Sequence, residues 1–514
     1  MEPPGRVPNT LCVLGLFLFY SHKKFPQSQN TVSIISEYIK ELMSEQTQQP
    51  TLDEIVSLCK RRGFVFPTSA IYGGLANSYD YGPLGAQLLK NIKDAWWKTF
   101  ISKRTDMVGL DSQILQHPET WVASGHVGSF SDPLVEDLVT KKRYRADHLI
   151  EAWIKKQQDT GNTQFNSFVI EDLTVDQMSE FIKENNILSP DGNQVGEPKA
   201  FNLLFETAIG TVSGEKSKIY LRGETAQGIF TNFKQVLDST RVQLPFGVGQ
   251  IGKSFRNEIT TGQFIFRTLE LEQAEIEYFF NPNQTKWEEL MDSWKQAMHT
   301  FVTKTLGVSA QNIQWRRHSD SERSFYSTDT YDLDYNFSFG WKELWGIAYR
   351  TDYDLKQHIK HSGEKLEYRD PHSSEVLVPH VIEPALGIGR AFLMVLTDAY
   401  WNDIERNRIV LKLKPSLAPY KVAVFPLLKN KSELVEKAQT IFSQLCEKFE
   451  TIWDDRGNIG KRYLYQDEIG TPFCVTVDFD SLEDNTVTLR NRDTAEQIRM
   501  PITELESYIS SMLE

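Results

Sequence analysis

The chain has 514 residues, of which 40% are hydrophobic and 12% are aromatic, and its formal net charge at pH 7 is −13. This length is too great for one ordinary hydrophobic core, so we expect two or three domains in a globular protein. The acidic balance excludes nucleic-acid binding through charge spread over the whole surface, but local basic patches that contact RNA remain compatible with it.

At the N-terminus, residues 11–20 form an apolar run that is far shorter than the ~20 residues needed to span a bilayer. We interpret residues 1–42 as an extension outside the folded domains, with a signal peptide as the less favoured alternative. We expect no membrane association. The chain has four scattered cysteines without a CxxC pair, which are Cys12, Cys59, Cys446 and Cys474. This pattern supports neither a zinc ribbon nor a disulfide framework and suits a reducing cytoplasm.

The first predicted helix covers residues 51–62, where apolar side chains have helical spacing, Thr51 can cap the helix and Glu54 follows three residues later. Residues 64–74 are predicted to form a strand that runs into a turn. Residues 83–100 are a second helix candidate, because apolar residues recur four apart.

Residues 150–200 have the character of an insertion, with a polar stretch, a capped helix that begins near Thr174 and a turn at 189–193. Between 201 and 280, apolar runs alternate with turns marked by glycine and proline, which favours an antiparallel sheet. An amphipathic helix is predicted at 286–306, and further strands at 331–339 and 344–347.

A domain boundary is predicted at residues 411–420, which are marked by proline and lack a helical stripe. Beyond it we predict a buried strand from Lys421, a helix at 432–449, and strands at 462–465, 473–477 and 486–490. Alternating strands and helices indicate a small α/β domain.

Two segments combine an arginine with an acid. The first is Phe255-Arg256-Asn257-Glu258, in which residues two apart would share one face of a strand. The second covers residues 381–390 and contains a strand, a glycine-rich turn, and Arg390 at the start of an apolar helix. Helix N-termini bind phosphate through free N–H groups and the helix dipole. Together the segments suggest a nucleoside triphosphate held at both ends.

These segments, together with residues 222–230 and 275–277, resemble in order and spacing the motifs of the class II aminoacyl-tRNA synthetases, and among them the dimeric glycyl-tRNA synthetases. The resemblance runs from about residue 50 to the C-terminus. It implies an α+β fold with an antiparallel sheet flanked by helices in a catalytic domain at 43–410, which contains the insertion at about 150–200. It also implies an α/β anticodon-binding domain at 415–514.

The resemblance further implies a cytoplasmic homodimer that activates glycine with ATP, forms glycyl-adenylate and pyrophosphate, and transfers glycine to the 3′ end of tRNA(Gly). The region 113–126 would belong to the dimer interface. For Trp96, Trp97 and Trp121, the sequence leaves open whether they lie in the core or at that interface.

Site residues carried over from the family divide into two sets, with Arg256 and Arg390 as the catalytic residues. The residues expected to bind ATP are Arg256, Asn257, Glu258, Phe266, Arg267, Leu271, Glu343, Leu344, Gly387, Gly389 and Arg390. The residues expected to bind glycine are Arg145, Glu224, Leu271, Glu275, Glu383, Ala385 and Gly387. Glu343 would hold Mg²⁺, and no zinc is expected. For Arg145, a contact with a tRNA phosphate is the alternative.

Five positions depart from the family's pattern: Gly223, Leu269, Leu271, Tyr349 and Ala385. We therefore expect weaker substrate binding with the chemistry retained. Two alternatives stay open from the sequence. One is a synthetase-like protein that binds tRNA without charging it. The other is a class II synthetase for another amino acid, which Glu224, Glu275 and Glu383 together disfavour.

Overall fold

The computed structural model describes residues 49–514 except 166–167, 169, 171–172, 211–216, 259–262, 320–322, 324–326, 374 and 514. The interpretation of residues 1–42 lies outside the described part of the chain. Within that part, no helix combines the length and the apolar character that crossing a membrane requires.

The strands, in chain order, are β1 Val65–Pro67, β2 Tyr79–Tyr81, β3 Met107–Gly109, β4 Ser131–Glu136, β5 Arg143–Arg145, β6 Lys199–Asn202, β7 Glu206–Ile209, β8 Ser217–Tyr220, β9 Phe246–Phe255, β10 Glu270–Phe280, β11 Ile313–Arg317, β12 Asp329–Phe337, β13 Gly340–Thr351, β14 Tyr368–Arg369, β15 Val376–Leu377, β16 His380–Gly387, β17 Tyr400–Asp403, β18 Arg408–Leu411, β19 Val422–Pro426, β20 Thr451–Trp453, β21 Phe473–Val477, β22 Thr486–Asn491 and β23 Gln497–Pro501. The α-helices are α1 Leu52–Arg62, α2 Pro83–Trp97, α3 Pro118–Ala123, α4 His126–Ser129, α5 Ala146–Asp159, α6 Val175–Glu184, α7 Ala226–Ser239, α8 Trp287–Thr300, α9 Tyr353–Ser362, α10 Ile388–Ala399, α11 Ser432–Cys446, α12 Ile459–Ile469, α13 Phe479–Asp484 and α14 Leu505–Leu513.

A seven-stranded sheet organises the larger part of the described chain, in the order β11-β12-β13-β16-β10-β9-β3. Neighbouring strands are antiparallel except β3, which runs parallel to β9 at one edge. The predicted antiparallel sheet flanked by helices is thus confirmed, with one parallel edge strand added.

The two faces of this sheet differ in chemistry because side chains alternate along each strand. On β10, Ala274, Ile276 and Tyr278 point into the main apolar core, where they join residues of α2, α8 and α10. The opposite face of β10 carries Glu275 and Glu277, both buried. The middle of the sheet therefore carries buried acidic side chains on the face opposite the apolar core.

The predicted helix at 51–62 is confirmed as α1, with Thr51 and Glu54 forming a reciprocal capping box. Of the three tryptophans, Trp96 and Trp121 are fully buried within the chain itself, so they belong to its core. Trp97 packs against that core from a half-buried position. The ring of Trp97 can pack here only because residue 109 is glycine, since a Cβ on residue 109 would lie 2.4 Å from the ring.

The insertion-like region, residues 150–200, packs with the segment before it: β4 and β5 precede residue 150 and form a three-stranded sheet with β6, in the order β5-β4-β6, and α5 and α6 lie beside this sheet. Apolar residues of α5 and α6, among them Ile150, Ile154 and Met178, form a separate small core. The expected helix near Thr174 is present, and Thr174 caps it through a capping box with Gln177. This region therefore has a core of its own.

The C-terminal part forms a five-stranded sheet in the order β20-β19-β21-β22-β23. The pairs of β19 with β20 and β21 are parallel, and the remaining pairs are antiparallel. The prediction of a strand at 462–465 is wrong, because these residues lie in α12. Asn458 accepts the N–H of Lys461 at the start of α12, and Gly470 ends the helix in the left-handed conformation.

Buried ion pairs join this C-terminal part to the rest of the chain. Asp467 on α12 is fully buried and accepts from Arg408 of β18 at 2.8 Å and from Arg490 of β22 at 2.7 and 2.9 Å. Its neighbour Glu468 pairs with Arg61 and Arg62 of α1. The helix that contains the misassigned segment therefore also carries, just after it, the two acids that connect the two parts of the chain.

Candidate active site

A cavity of about 500 Å³ opens on the polar face of the central sheet. Strands β9, β10, β13 and β16 contribute to its wall, together with the start of α10. The predicted site residues that line it are Glu224, Arg256, Glu258, Phe266, Arg267, Leu271, Glu275, Glu343, Glu383, Ala385, Gly387, Gly389 and Arg390. The structure therefore brings residues from distant parts of the chain into one cavity.

Three of the predicted residues do not line this cavity. Leu344 is fully buried and belongs to the apolar core, and Asn257 lies beside the cavity without lining it. The guanidinium of Arg145 is held by Asp132 at 2.9 Å and by Asp147. The charge of Glu258, which lines the cavity, also acts on Arg145, but Arg145 would have to leave Asp132 and Asp147 to contact a small substrate.

Arg256 follows the last residue of β9 instead of lying within the strand. The expectation that Arg256 and Glu258 share one strand face is therefore wrong, because β9 ends at Phe255. The N–H of Arg256 still donates to the Leu269 carbonyl at 3.0 Å, and both side chains line the cavity. The position of Arg256 is instead set by the carbonyl of Gly223, which accepts from its Nε at 3.1 Å. The ring of Phe130 lies 5.3 Å from the guanidinium carbon, within cation–π range.

Arg267 and Glu258 face each other, with Nη1 of Arg267 3.8 Å from Oε2 of Glu258. Burial lowers the pKa of Arg267, Glu258 acts against this, and the nearby charges of Arg390 and Arg145 lower the pKa further. Arg267, Arg390 and Arg145 repel one another, and this repulsion favours the binding of an anion between their guanidinium groups.

Arg390 lies in the first turn of α10 and lines the cavity together with Gly387 and Gly389 at the start of that helix, a position that favours anions. Its guanidinium carbon lies 4.4 Å from the ring centre of Phe266. It also pairs with the carboxylate of Glu343 at 3.0 Å and donates to the backbone carbonyl of that residue. The charge of Arg390 lowers the pKa of Glu343, which stays ionised at neutral pH. A cation and an oxygen ligand thus stand side by side.

The other end of the cavity is strongly acidic. Glu224 lies 3.3 Å from Nε2 of His126 and accepts from Gln227 at 2.9 Å. Burial disfavours its charged form, but the charges of His126 and Arg350 outweigh burial and lower its pKa. Glu224 is therefore an ionised acceptor beneath the cavity.

Glu275 and Glu383 complete this acidic end. Glu275 accepts from the hydroxyl of Thr225, and burial raises its pKa. Glu383 pairs with Arg350 on the neighbouring strand β13. Burial raises the pKa of Glu383 well above its usual range, although Arg350 opposes the shift. Carboxyl groups in this arrangement can surround a small ammonium group and accept its hydrogen bonds.

Sequence reasoning missed several residues of this site. His126, His318, Thr330 and Asp332 also line the cavity. Arg350 lies beneath it, fully buried, and donates to Asp354 through Nε and Nη2, each at 2.8 Å. No local pattern marked Arg350, because it lies near the end of β13 while Asp354 lies in the first turn of α9, so their pairing depends on the turn between the two elements.

Three of the departing positions do not line the cavity. Tyr349 stacks on Trp287 at 4.8 Å and shares a hydrogen bond with Nδ1 of His380. Gly223 contributes its backbone carbonyl to Arg256, and a Cβ there would meet Leu204 at 3.0 Å. The backbone carbonyl of Leu269 accepts from the N–H of Arg256 at 3.0 Å. The expectation that these three positions weaken substrate binding therefore has no direct contact with the cavity behind it.

Oxygen ligands for a divalent cation are available at the end of the cavity near Arg390. Glu343 and Asp332 both line the cavity, and the charge of Glu343 contributes to raising the pKa of Asp332 after burial. Two carboxylates of this kind suit Mg²⁺, which takes one or two carboxylates and completes its shell with phosphate and water.

Comparison with known proteins gives consistent results. A family model described as "tRNA synthetase class II core domain (G, H, P, S and T)" matches residues 210–400, and one described as "Anticodon binding domain" matches residues 421–512. The chain is 51% identical over 468 residues to a protein named glycine–tRNA ligase from Caldanaerobacter subterraneus subsp. tengcongensis, covering 90% of this chain and 99% of that protein.

Two further comparisons extend this result. A protein of the same name from Clostridium beijerinckii is 50% identical over 472 residues, covering 91% of this chain and 99% of that protein. Among solved structures, prolyl-tRNA synthetase from Cryptosporidium parvum complexed with L-proline and AMP matches with a TM-score of 0.59 at 15% identity, covering 91% of this chain and 76% of that chain. The structural match shows the fold alone.

Proposed function

Since this chain belongs to the glycine–tRNA ligase family, we propose that it activates glycine with ATP and then transfers glycine to the 3′ end of tRNA(Gly). The observation that carries the proposal is the division of one cavity into a cationic end and an acidic end. Arg267 and Arg390, whose charges act on each other, line the first. Glu224, Glu275 and Glu383, whose charges act on one another, line the second. Arg256 lies between the two groups, because its charge acts on both Glu275 and Glu343. A triphosphate and an amino acid with no side chain match these two ends.

In the first step, a carboxylate oxygen of glycine attacks the α-phosphorus of ATP. The new bond joins glycine to AMP, and the bond to the β-phosphate breaks, releasing pyrophosphate. Because the nucleophile is already an anion, no general base is required. The protein acts by positioning the two substrates and by stabilising negative charge on the phosphates. In the second step, a terminal hydroxyl of tRNA attacks the activated carbonyl and AMP leaves.

We assign the α-phosphate to Arg256, because its guanidinium is held between the Gly223 carbonyl and the Phe130 ring at the middle of the cavity. Arg267 and Arg390 would hold the outer phosphates, with Arg390 supported by the N-terminus of α10. A planar guanidinium binds phosphate through two parallel hydrogen bonds. Glu258 would accept from the adenine amine, beside Phe266 and Leu271.

We assign the glycine ammonium to Glu224, Glu275 and Glu383, with Ala385 and Gly387 forming the adjacent wall. Excluding one methyl group by an apolar contact yields only about 1–3 kcal/mol. Carboxylates packed around the ammonium add to this, because a displaced ammonium loses charged hydrogen bonds. Arg145 remains a proposal for the mouth of the cavity, where a tRNA phosphate is the alternative ligand.

Mg²⁺ would be held by Glu343, with Asp332 as a second oxygen ligand, and would neutralise charge on the phosphates. We also propose that the chain works as a cytoplasmic homodimer. Exposed apolar side chains support an interface, since Leu115 is 52% exposed and Val122 is 41% exposed in the region 113–126. The proposed division of the chain into a catalytic domain at 43–410 and an anticodon-binding domain at 415–514 accompanies this function.

Pyrophosphate exchange with the purified protein tests the proposal. We expect exchange that depends on glycine and ATP, and none above background with alanine or serine. No exchange with any amino acid would reject the ligase and favour a tRNA-binding protein without charging activity. Exchange with alanine or serine in place of glycine would reject the specificity. Sedimentation equilibrium measures the oligomeric state independently.

A further inference from the structure

Glu277 is an acid that the proposed reaction does not use. Its side chain is fully buried, and it does not line the cavity. Within the described part of the chain, neither of its carboxyl oxygens has a hydrogen-bond partner. An ionised carboxylate in such a position costs several kcal/mol, so this residue requires a physical explanation.

Glu277 lies on the same face of β10 as Glu275, which lines the cavity, and follows it by two residues. Glu275 pairs with Ala385 and Tyr278 with Ile382, so Glu277 lies opposite Glu383 on β16. One oxygen from each of Glu275, Glu277 and Glu383 lies within 4.8 Å of the others. Like charges directly opposite each other in a sheet are destabilising.

The residues around Glu277 offer little positive charge. Phe279 follows it on the same face of β10 and packs with Phe230 and Phe233 of α7 in an apolar cluster. Arg350 is the buried cation nearby, and its guanidinium is already engaged by Asp354 and Glu383. Arg350 therefore lies close to several buried acids, namely Glu275, Glu277, Glu383 and Asp354.

Binding a proton is the simplest way to balance this excess of negative charge. Burial raises the pKa of Glu277 well above its usual range, and the charge of Glu383 raises it further, while Arg350 opposes the shift. The pKa of Glu383 is raised as well, but Arg350 donates to Glu383 whereas neither oxygen of Glu277 has a partner among the described residues, so the proton belongs on Glu277. A protonated carboxyl group is also a hydrogen-bond donor. The separation of at most 4.8 Å from the Glu383 oxygen is one that a side-chain torsion can close.

We propose that Glu277 is held as a neutral carboxylic acid that donates its proton to a hydrogen bond with Glu383, and that it thereby positions the carboxylate that binds the substrate ammonium. Glu277 is a positioning residue, since it touches Glu383 and not the substrate. The role rests on the proposed function, because it supposes that the ammonium of glycine binds at Glu383.

Two substitutions separate this role from a general need for a charge. Glu277→Gln keeps the size and the donor but cannot ionise. Glu277→Met has a similar length and offers no donor. We expect the glutamine variant to keep the KM for glycine within about threefold of the wild type, and the methionine variant to raise it more than tenfold. The KM for ATP should stay unchanged in both variants.

A spectroscopic signature tests the protonation state without activity. A protonated carboxyl group has an infrared carbonyl band that lies apart from the amide and carboxylate bands. We expect such a band in the wild type at neutral pH, a small shift in D2O, and its loss in Glu277→Gln. This comparison uses only the glutamine variant, so it stands even where the methionine variant does not fold.

Three outcomes would overturn the inference. The first is the absence of any band that Glu277→Gln removes. The second is a loss of glycine affinity in Glu277→Gln, which would show that the charged form is required. The third is a stoichiometric cation, found by elemental analysis of the dialysed wild type and absent from Glu277→Gln. A wild type without glycine-dependent exchange would instead reject the proposed function, while the infrared result would still report on Glu277.

Discussion

Replacing Arg256 tests the central assignment of the active site. Nε of Arg256 is engaged by the Gly223 carbonyl at 3.1 Å, and the Phe130 ring supports the guanidinium from one face at 5.3 Å. The terminal nitrogens lie at the cavity wall, where they can form two hydrogen bonds to a bound phosphate. Each hydrogen bond to a charged group contributes about 1.5–3 kcal/mol, so Arg256→Ala should lose about 3–6 kcal/mol.

A loss of this size corresponds to a fall in the exchange rate of about 10²–10⁴, since 1.36 kcal/mol is about a factor of ten. Arg256→Lys keeps the charge but cannot form the paired contact, so its rate should fall by a smaller factor, about 10–100. The assay is glycine-dependent pyrophosphate exchange at saturating ATP. Arg369→Ala serves as a control, because Arg369 is exposed and lies outside the cavity.

The reasoning about Arg256 would be refuted by an Arg256→Ala variant that keeps its rate within tenfold of the wild type. Equal rates for the lysine and alanine variants would show that charge alone contributes nothing there. A parallel loss in Arg369→Ala would show that the assay reports on folding. Circular dichroism of each variant separates loss of fold from loss of chemistry.

Three further substitutions test other parts of the molecule. Ala385→Ser adds a hydroxyl opposite Glu275, and a new hydrogen bond of about 1 kcal/mol should lower the KM for glycine about fivefold; an unchanged KM in exchange kinetics would count against Ala385 as part of the glycine site. Leu271→Phe should lower the KM for ATP two- to tenfold, because an aromatic pair contributes about 0.5–1.5 kcal/mol, and no gain would mean that the adenine lies elsewhere. Asp467→Asn leaves Arg490 buried without a carboxylate and Arg408 paired with Asp403 alone, so urea unfolding should show a loss of about 3–5 kcal/mol, whereas a loss below 1 kcal/mol would show that the network is not stabilising.

Much of the site could be predicted because its parts are local in sequence. Arg390 follows a glycine-rich turn at a helix start, and that geometry depends on neighbouring residues only. The cap of α1 and the strand character of 331–339 were predictable for the same reason. The segment 462–465 was assigned wrongly, because Arg462 followed by three apolar or aromatic residues is too short a pattern to distinguish a strand from a helix. The caps of the helix, Asn458 and Gly470, lie outside these four residues and identify it.

By itself, the sequence determined the α+β class, the order of the motifs, the cationic and acidic character of the candidate residues and the family they resemble. These properties depend on residue type and short spacing, which the chain displays directly. Only the tertiary structure decided that Arg350 supports Glu383, that Tyr349 packs away from the cavity, and that Glu277 faces Glu383 across two strands. Such contacts depend on the register between distant strands, and a shift of one residue would turn each side chain to the other face.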